Sequence, residues 1–202
     1  MLQVPRPSGK NLPDLQVLES PILIIGAAFT GKSELANRAL DTDKIALVIG
    51  TGSLEDNHFQ KRIQDLKDQR PPHWEHVEPK QDALDHLESA QHGYDQILFD
   101  SVNQWIAELT LSRAGKLSAE QLEDSLLHEG RQLCKVVRGF GPRKRLVLVT
   151  SEVGAGITPP SAPARAFRQA TSRINCYLAE ECRSVVMVSA GLPLVLKGQG
   201  FN

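Results

Sequence analysis

The segment that begins at Gly26 carries the residue types that bind a nucleotide phosphate. It reads G-x-x-x-x-G-K-S, follows a short apolar run and precedes a helical pattern, which is the context this motif requires. Glycines let such a loop wrap round a phosphate, while Lys32 would reach the β- and γ-phosphates and the Ser33 hydroxyl would ligate Mg²⁺. The sequence therefore predicts that a purine nucleoside triphosphate, ATP or GTP, binds here with Mg²⁺. The predicted nucleotide-binding residues are Gly26, Ala27, Ala28, Phe29, Thr30, Gly31, Lys32 and Ser33.

A carboxylate that could complete the Mg²⁺ site is Asp100, which closes the apolar run Ile97–Phe99. The alternative is that this aspartate caps the helical pattern that follows it, and the two roles can coexist. Glu152 follows a later apolar run at a similar level. The turn Gly50-Thr51-Gly52 follows the second run and is predicted to contact the nucleotide, with a plain glycine-rich turn as the alternative. Ligands bind at the carboxyl ends of parallel strands, where all these residues would meet.

The elements that must position these residues alternate along the chain. Five short, β-branched apolar runs read as strands buried on both faces of a sheet. Helical patterns lie between them, and the clearest begins with a capping box at Ser118 and ends at Gly139. Alternating strands and helices predict an α/β fold with a mostly parallel sheet that helices cover on both faces. The runs are Ile22–Ile25, Ile45–Ile49, Ile97–Phe99, Leu146–Val149 and Val185–Val188.

Composition restricts the class of protein. The chain has 202 residues and a formal net charge of -1, which predicts no nucleic-acid partner. Its three cysteines show no C-x-x-C spacing, and no apolar run is long enough for a membrane span, so we expect a cytoplasmic protein. We expect residues 1–20 to be an irregular leader and residues 21–202 to be the nucleotide-binding domain. A loose tail is one interpretation of the leader, and a strap docked on the domain or on a neighbouring subunit is the alternative.

The C-terminal half carries a series of motifs with a recognisable order. Val149-Thr-Ser-Glu-Val-Gly-Ala-Gly-Ile-Thr-Pro159 is followed by Ala164-Arg-Ala-Phe-Arg168 and by Ser189-Ala-Gly-Leu-Pro-Leu194, and the middle reads Lys67-Asp-Gln-Arg-Pro-Pro-His-Trp74 before Glu78. This series closely resembles the adenosylcobinamide kinase / adenosylcobinamide-phosphate guanylyltransferase family of cobalamin biosynthesis. The resemblance extends over about residues 21–197.

The resemblance implies a RecA-like P-loop NTPase fold, a homotrimer and two reactions. Family members phosphorylate the side-chain hydroxyl of adenosylcobinamide with a nucleoside triphosphate. They then transfer GMP from GTP to that phosphate through a guanylylated histidine on the helix after the second strand. The resemblance also adds Lys67, Asp68 and Glu78 to the predicted nucleotide-binding residues, and it makes Lys32 and Asp100 catalytic.

The sequence departs from the family where the second reaction takes place. The resemblance aligns Asp65 with the guanylylated histidine and His58 with a family glutamate. A neutral imidazole forms a phosphoramidate that can pass its nucleotide on, whereas a carboxylate would have to form a mixed anhydride while it approaches a negatively charged phosphate. Phe29 also replaces the arginine that the family commonly has in its phosphate loop. We therefore expect Asp65 not to act as a nucleophile and no stable covalent guanylyl intermediate to form.

Three functions remain open from the sequence. The first is a Mg²⁺-dependent kinase of the adenosylcobinamide type whose guanylyl transfer is lost or weakened. The second is a bifunctional enzyme with a relocated nucleophile. The simplest interpretation of His73 and His76 is that they are ordinary loop histidines and not that nucleophile. The third is a nucleotide-binding regulatory or assembly protein with another substrate.

Overall fold

Seven strands within the described residues form one sheet in the order β3-β2-β4-β5-β1-β6-β7. The computed structural model describes residues 14–52, 57–141 and 143–199, apart from the side chains of residues 57–59 and 62. All neighbouring strands run parallel except the pair β6 and β7. The predicted, mostly parallel α/β sheet is therefore confirmed. The strands are β1 Ile22–Gly26, β2 Ala46–Gly50, β3 Glu75–Val77, β4 Gln96–Asp100, β5 Arg145–Ser151, β6 Ser184–Ser189 and β7 Leu192–Lys197.

Helices lie on both faces of this sheet. The helices are α1 Lys32–Arg38, α2 Asn57–Asp68, α3 Ala83–Ala90, α4 Val102–Arg113, α5 Ala119–Gly139 and α6 Ala162–Glu181. Alternate residues of each central strand enter two separate apolar clusters. In β1, for example, Leu23 packs on the side of α3 to α6, whereas Ile22 and Ile24 pack on the side of α1. This alternation explains why the central strands contain continuous apolar runs, as predicted for a sheet buried on both faces.

The longest predicted helix begins as its sequence indicates. The Ser118 hydroxyl accepts a hydrogen bond from the Gln121 N–H at 3.2 Å, and the Gln121 side chain accepts one from the Ser118 N–H at 3.0 Å. These two bonds satisfy donors that the first turn of α5 would otherwise leave unpaired. α5 and α6 then pack so closely that a side-chain carbon on Gly130 would lie 2.3 Å from Ile174 Cγ1.

The end of the expected leader packs against the sheet. Leu15 and Leu18 are buried in the α1-side cluster. The Arg145 guanidinium donates hydrogen bonds to the Leu15 carbonyl at 2.8 Å and to the Leu18 carbonyl at 3.2 Å. Residues 14–18 therefore lie on the domain, as the strap interpretation expects, while residues 1–13 lie outside the described residues. The division of the chain at residue 20 stays a prediction.

Two strands and one α-helix were not expected from the sequence. β3 has only three residues, α3 has eight, and β7 alternates exposed leucines with half-buried residues. β2 also begins one residue later than the apolar run suggests, because Ile45 is exposed. None of the helices in the described ranges is long and apolar enough to cross a membrane.

Candidate nucleotide site

The predicted phosphate loop connects the end of β1 to the first residue of α1. Phe29 and Gly31 have positive φ angles of 63° and 92°, so the loop turns back on itself before the helix begins. Gly26 is sterically required, because a side-chain carbon there would lie 2.3 Å from the Val188 carbonyl oxygen. The loop therefore leads directly into the N-terminus of α1, and a helix N-terminus is a place where an anion is stabilised.

Lys32 lies beneath this loop. Its side chain is buried, and its ammonium group donates a hydrogen bond of 2.6 Å to the Ala27 carbonyl. Thr30 donates to the same carbonyl at 2.9 Å. The lysine is therefore held against the loop, where it lines a cavity.

Ser33 and Asp100 meet at the carboxyl edge of the sheet. The Ser33 hydroxyl donates to Asp100 Oδ1 at 3.1 Å. β1 and β4 both flank β5, and this arrangement brings the first turn of α1 over the last residue of β4. Mg²⁺ in nucleotide enzymes prefers oxygen ligands and shares its coordination between one or two protein oxygens and substrate phosphates. A hydroxyl and a carboxylate at this distance fit that ion.

Arg70 approaches the same carboxylate from the other side. Its Nη2 lies 3.7 Å from Asp100 Oδ2, and its Nε donates to Asn37 Oδ1 at 3.0 Å. The side chain is only 7% exposed. Burial lowers the pKa of the Arg70 guanidinium, and the charge of Asp100 opposes that shift. Arginine nevertheless stays charged in proteins, so the site contains a buried, permanently positive group.

The turn after β2 has two different functions along its length. Gly50 and Gly52 line the cavity. Thr51 is buried, and its hydroxyl donates to the Ser101 carbonyl at 2.6 Å and accepts from the Ser101 N–H at 2.8 Å. The Thr51 side chain therefore ties the ends of β2 and β4 together.

A second wall of the cavity comes from β3 and the residue that follows it. Lys67 forms an ion pair with Glu78 at 2.6 Å, and His76 Nδ1 lies 3.8 Å from the same carboxylate oxygen. The His76 ring packs against Gly50, where a side-chain carbon would be 3.0 Å from Nε2. Burial lowers the pKa of His76 to about 4, and the charges of Lys67 and Arg70 contribute. His76 is therefore a neutral imidazole at pH 7.

These walls enclose a cavity of about 310 Å³ at the carboxyl edge of the sheet. The side chains on its wall come from the phosphate loop, from α2, from β3 and from the start of α4. Asn103 contributes a buried Oδ1 that has no hydrogen-bond partner within the described ranges. The lining residues are Ala28, Phe29, Lys32, Ser33, Gly50, Gly52, Ile63, Leu66, Arg70, His76, Glu78, Asp100, Ser101, Asn103, Gln104, Val149 and Ser151.

Other predicted residues lie away from this wall. Asp65 is exposed, and its neighbours Ile63 and Leu66 line the cavity instead. Asp68 accepts a hydrogen bond from Gln64 at 2.6 Å on the exposed side of α2. Glu152 accepts one from the Gly154 N–H at 2.7 Å. The side chain of His58 lies outside the described residues.

Arg70 and His76 are the site residues that sequence reasoning missed as functional groups. Arg70 lies in the turn after α2, and His76 lies on β3, a strand too short to produce a hydrophobic pattern. The one available signal was their position within the segment that carries the family resemblance.

Comparison with known proteins gives a family match over most of the chain. A family model described as cobinamide kinase / cobinamide phosphate guanyltransferase matches residues 22–196. The bifunctional adenosylcobalamin biosynthesis protein CobU of Salmonella typhimurium is 32% identical over 181 residues, which cover 87% of this chain and 99% of that protein. CobP of Pseudomonas aeruginosa, described in the same words, is 29% identical and covers 88% of this chain and 97% of its own.

A solved structure is similar in fold. An ATPase from the type III secretion system of pathogenic bacteria gives a TM-score of 0.55 at 11% identity, over 88% of this chain and 56% of that chain. This likeness agrees with the predicted RecA-like P-loop NTPase fold, and the family match extends over almost every described residue. The chain therefore belongs to the cobinamide kinase / cobinamide phosphate guanyltransferase family.

Proposed function

We propose that this protein is a Mg²⁺-dependent kinase that transfers the γ-phosphoryl group of a nucleoside triphosphate to a hydroxyl of a cobinamide-type corrinoid. The observation that carries the proposal is the Ser33–Asp100 contact of 3.1 Å next to the buried Lys32. This hydroxyl and this carboxylate would hold the Mg²⁺ ion on which transfer of the γ-phosphoryl group depends. The family of the chain supports the corrinoid as acceptor.

Each residue of the cluster has a separate part in this reaction. The backbone N–H groups of the phosphate loop would hold the phosphates, and Lys32 would move from the Ala27 carbonyl to the β- and γ-phosphates. Ser33 and Asp100 would hold Mg²⁺, which when bound neutralises charge on the phosphates. Phosphoryl transfer depends mainly on positioning and charge stabilisation, so these contacts account for most of what the protein must supply.

The acceptor would enter from the α4 side of the cavity. Asn103 is almost fully buried there, and its Oδ1 has no hydrogen-bond partner among the residues that the structure describes. A buried polar atom without a hydrogen bond is costly, so a donor group of the bound ligand would satisfy it. We propose that Asn103 orients the acceptor hydroxyl or an amide of the corrinoid.

The guanylyl transfer implied by the family would be lost or weakened in this chain. The carboxylate of Asp65 is exposed and lies away from the cavity wall. It would therefore have to displace pyrophosphate from GTP without the dry, positively charged surroundings that stabilise such a step. A regulatory protein that only binds nucleotide remains the alternative, and it predicts binding without transfer.

We also propose that the protein is a cytoplasmic homotrimer that accepts either ATP or GTP. The family resemblance supports the trimer, and light scattering coupled to gel filtration would measure it. A monomer at micromolar concentration would overturn that part of the proposal without affecting the kinase activity.

The kinase proposal is tested with adenosylcobinamide, Mg²⁺ and γ-labelled ATP or GTP. We expect label on the corrinoid with the wild type and none with Asp100→Asn. Calorimetry of the same samples measures nucleotide binding separately. Nucleotide binding without label on the corrinoid would overturn the kinase and favour the regulatory protein.

A further inference from the structure

The charges around the cavity are few for a ligand as negative as a triphosphate. Among the described residues that line it, the permanent cations are Lys32 and Arg70. The resemblance to the family places Phe29 where an arginine is common, so the loop itself contributes no guanidinium. His76 is neutral at pH 7. Arg70 therefore supplies one of the two permanent positive charges in the described cavity lining that could balance the charge of the phosphates.

Arg70 is held by two residues that belong to the site. Its Nε donates to Asn37 at 3.0 Å, and Asn37 lies on α1, the helix that begins at the phosphate loop. Its Nη2 faces Asp100 at 3.7 Å, which is longer than a hydrogen bond. The guanidinium is therefore anchored at one end and only loosely held at the other.

The loose end lies beside the carboxylate that a divalent cation would bind. Two cations at one carboxylate repel each other strongly in a buried site, where charges are poorly screened. A triphosphate on the loop would offer the guanidinium several oxygen acceptors in place of the single carboxylate. The fork of an arginine suits such oxygens better than an ammonium does.

We infer that Arg70 is a catalytic residue that neutralises Asp100 in the empty site and binds the triphosphate when nucleotide and its cation arrive. This inference rests on the proposed phosphoryl transfer and adds a residue to it. On the phosphates the guanidinium would stabilise charge that develops during transfer, as arginines do in other nucleotide enzymes. The Asn37 contact would keep its Nε in place during the exchange.

This exchange predicts that loss of Arg70 changes the affinities for ATP and for a divalent cation in opposite directions. Arg70→Ala removes a phosphate contact, so we expect the affinity for ATP measured by calorimetry in EDTA to fall at least tenfold. The same change removes the cation that competes at Asp100. We therefore expect Mn²⁺ to bind the nucleotide-free variant severalfold more tightly, measured by electron paramagnetic resonance of free Mn²⁺. The kcat of phosphoryl transfer should fall by at least about 100-fold.

A purely structural role would have another signature. Both affinities would then fall together with the melting temperature, and that result would overturn the inference, as would unchanged ATP affinity. Arg70→Lys keeps the charge and most of the volume of the side chain, so it should fold even where Arg70→Ala does not. We expect it to change the affinities for ATP and Mn²⁺ in the same directions as Arg70→Ala, but by smaller factors. The matched control is Arg113→Ala, which breaks the half-buried ion pair with Glu129 elsewhere in the chain and should change neither affinity. The two binding measurements use no corrinoid, so they test Arg70 even where adenosylcobinamide proves not to be the acceptor.

Discussion

The hydroxyl of Ser33 donates a hydrogen bond of 3.1 Å to a carboxylate oxygen of Asp100, although 67 residues separate the two along the chain. Ser33 is the second residue of the first helix, and Asp100 is the last residue of the fourth strand. The parallel sheet brings them together because β1 and β4 point their carboxyl ends to the same edge. A hydroxyl and a carboxylate in contact, next to a buried lysine, are residue types that suit a magnesium nucleotide.

Removal of the Lys32 ammonium should weaken nucleotide binding. We expect Lys32→Ala to reduce the affinity for Mg²⁺-ATP by about 1.5–3 kcal/mol, because a hydrogen bond to a charged group is worth that much. Isothermal titration calorimetry measures the change. Lys135→Ala on the exposed side of α5 is the matched control. Equal affinities for Lys32→Ala and the wild type would contradict the assignment of the loop.

Asp100→Asn keeps the size of the side chain and removes its charge. We expect kcat for phosphoryl transfer to fall at least about 100-fold, since the amide cannot replace a carboxylate at Mg²⁺. The binding of ATP without metal should improve slightly, because a negative charge near the phosphates is lost. A γ-label transfer assay and calorimetry in EDTA measure the two effects. Asp124→Asn, exposed on α5, is the control, and full activity of Asp100→Asn would argue against a metal-binding role.

The sequence predicts the central part of this molecule well. The phosphate loop, the carboxylate at the end of β4 and the alternation of strands and helices follow from local patterns, because buried strands need apolar residues at every position. The edges of the sheet were missed. β3 has three residues, which is too short for a hydrophobic period to be recognised. β7 pairs antiparallel with β6 and leaves its leucines exposed, so its sequence has no pattern of buried apolar residues from which a strand could be predicted.

The second wall of the site was missed for a different reason. Arg70 and His76 belong to the site because of contacts with residues distant in the sequence. Arg70 contacts Asp100 and Asn37. His76 packs against Gly50. No spacing rule connects these positions, because the contacts arise from the way the strands are ordered in the sheet. Only the family resemblance indicated their location, because Arg70 lies in the Lys67–Trp74 motif and His76 lies between that motif and Glu78.

His76 should make the stability of the nucleotide-free protein depend on pH. Its pKa is about 4 in the folded chain and 6.5 ordinarily. Between these values the unfolded chain binds a proton that the folded chain does not. The free energy of unfolding should therefore fall as the pH is lowered from about 7 to 4. We expect a loss of roughly 2 kcal/mol, less than the full shift implies because the side chain is partly exposed.

Urea titrations at pH 7 and pH 4.5 measure this loss. His76→Asn removes the titrating group, so the stability of that variant should change less between the two pH values than that of the wild type. His73→Asn removes an exposed histidine from the same segment and should behave like the wild type. Identical pH dependence in His76→Asn and the wild type would show that the imidazole is not shielded from protons in the folded state.

The wild-type protein should form no stable covalent intermediate with GTP. We expect no base-stable label on the protein after incubation with α-labelled GTP and Mg²⁺, because Asp65 is an exposed carboxylate at the position that the family resemblance aligns with the guanylylated histidine. A phosphoramidate survives mild base and is lost in acid, whereas an acyl phosphate is cleaved by hydroxylamine, so the label reports its own chemistry. Asp65→His should restore labelling where the surrounding residues are still competent. Base-stable label on the wild type would contradict the prediction and point to a relocated nucleophile. Among the described residues that line the cavity the one histidine is His76, so loss of that label in His76→Ala, but not in His73→Ala, would identify it.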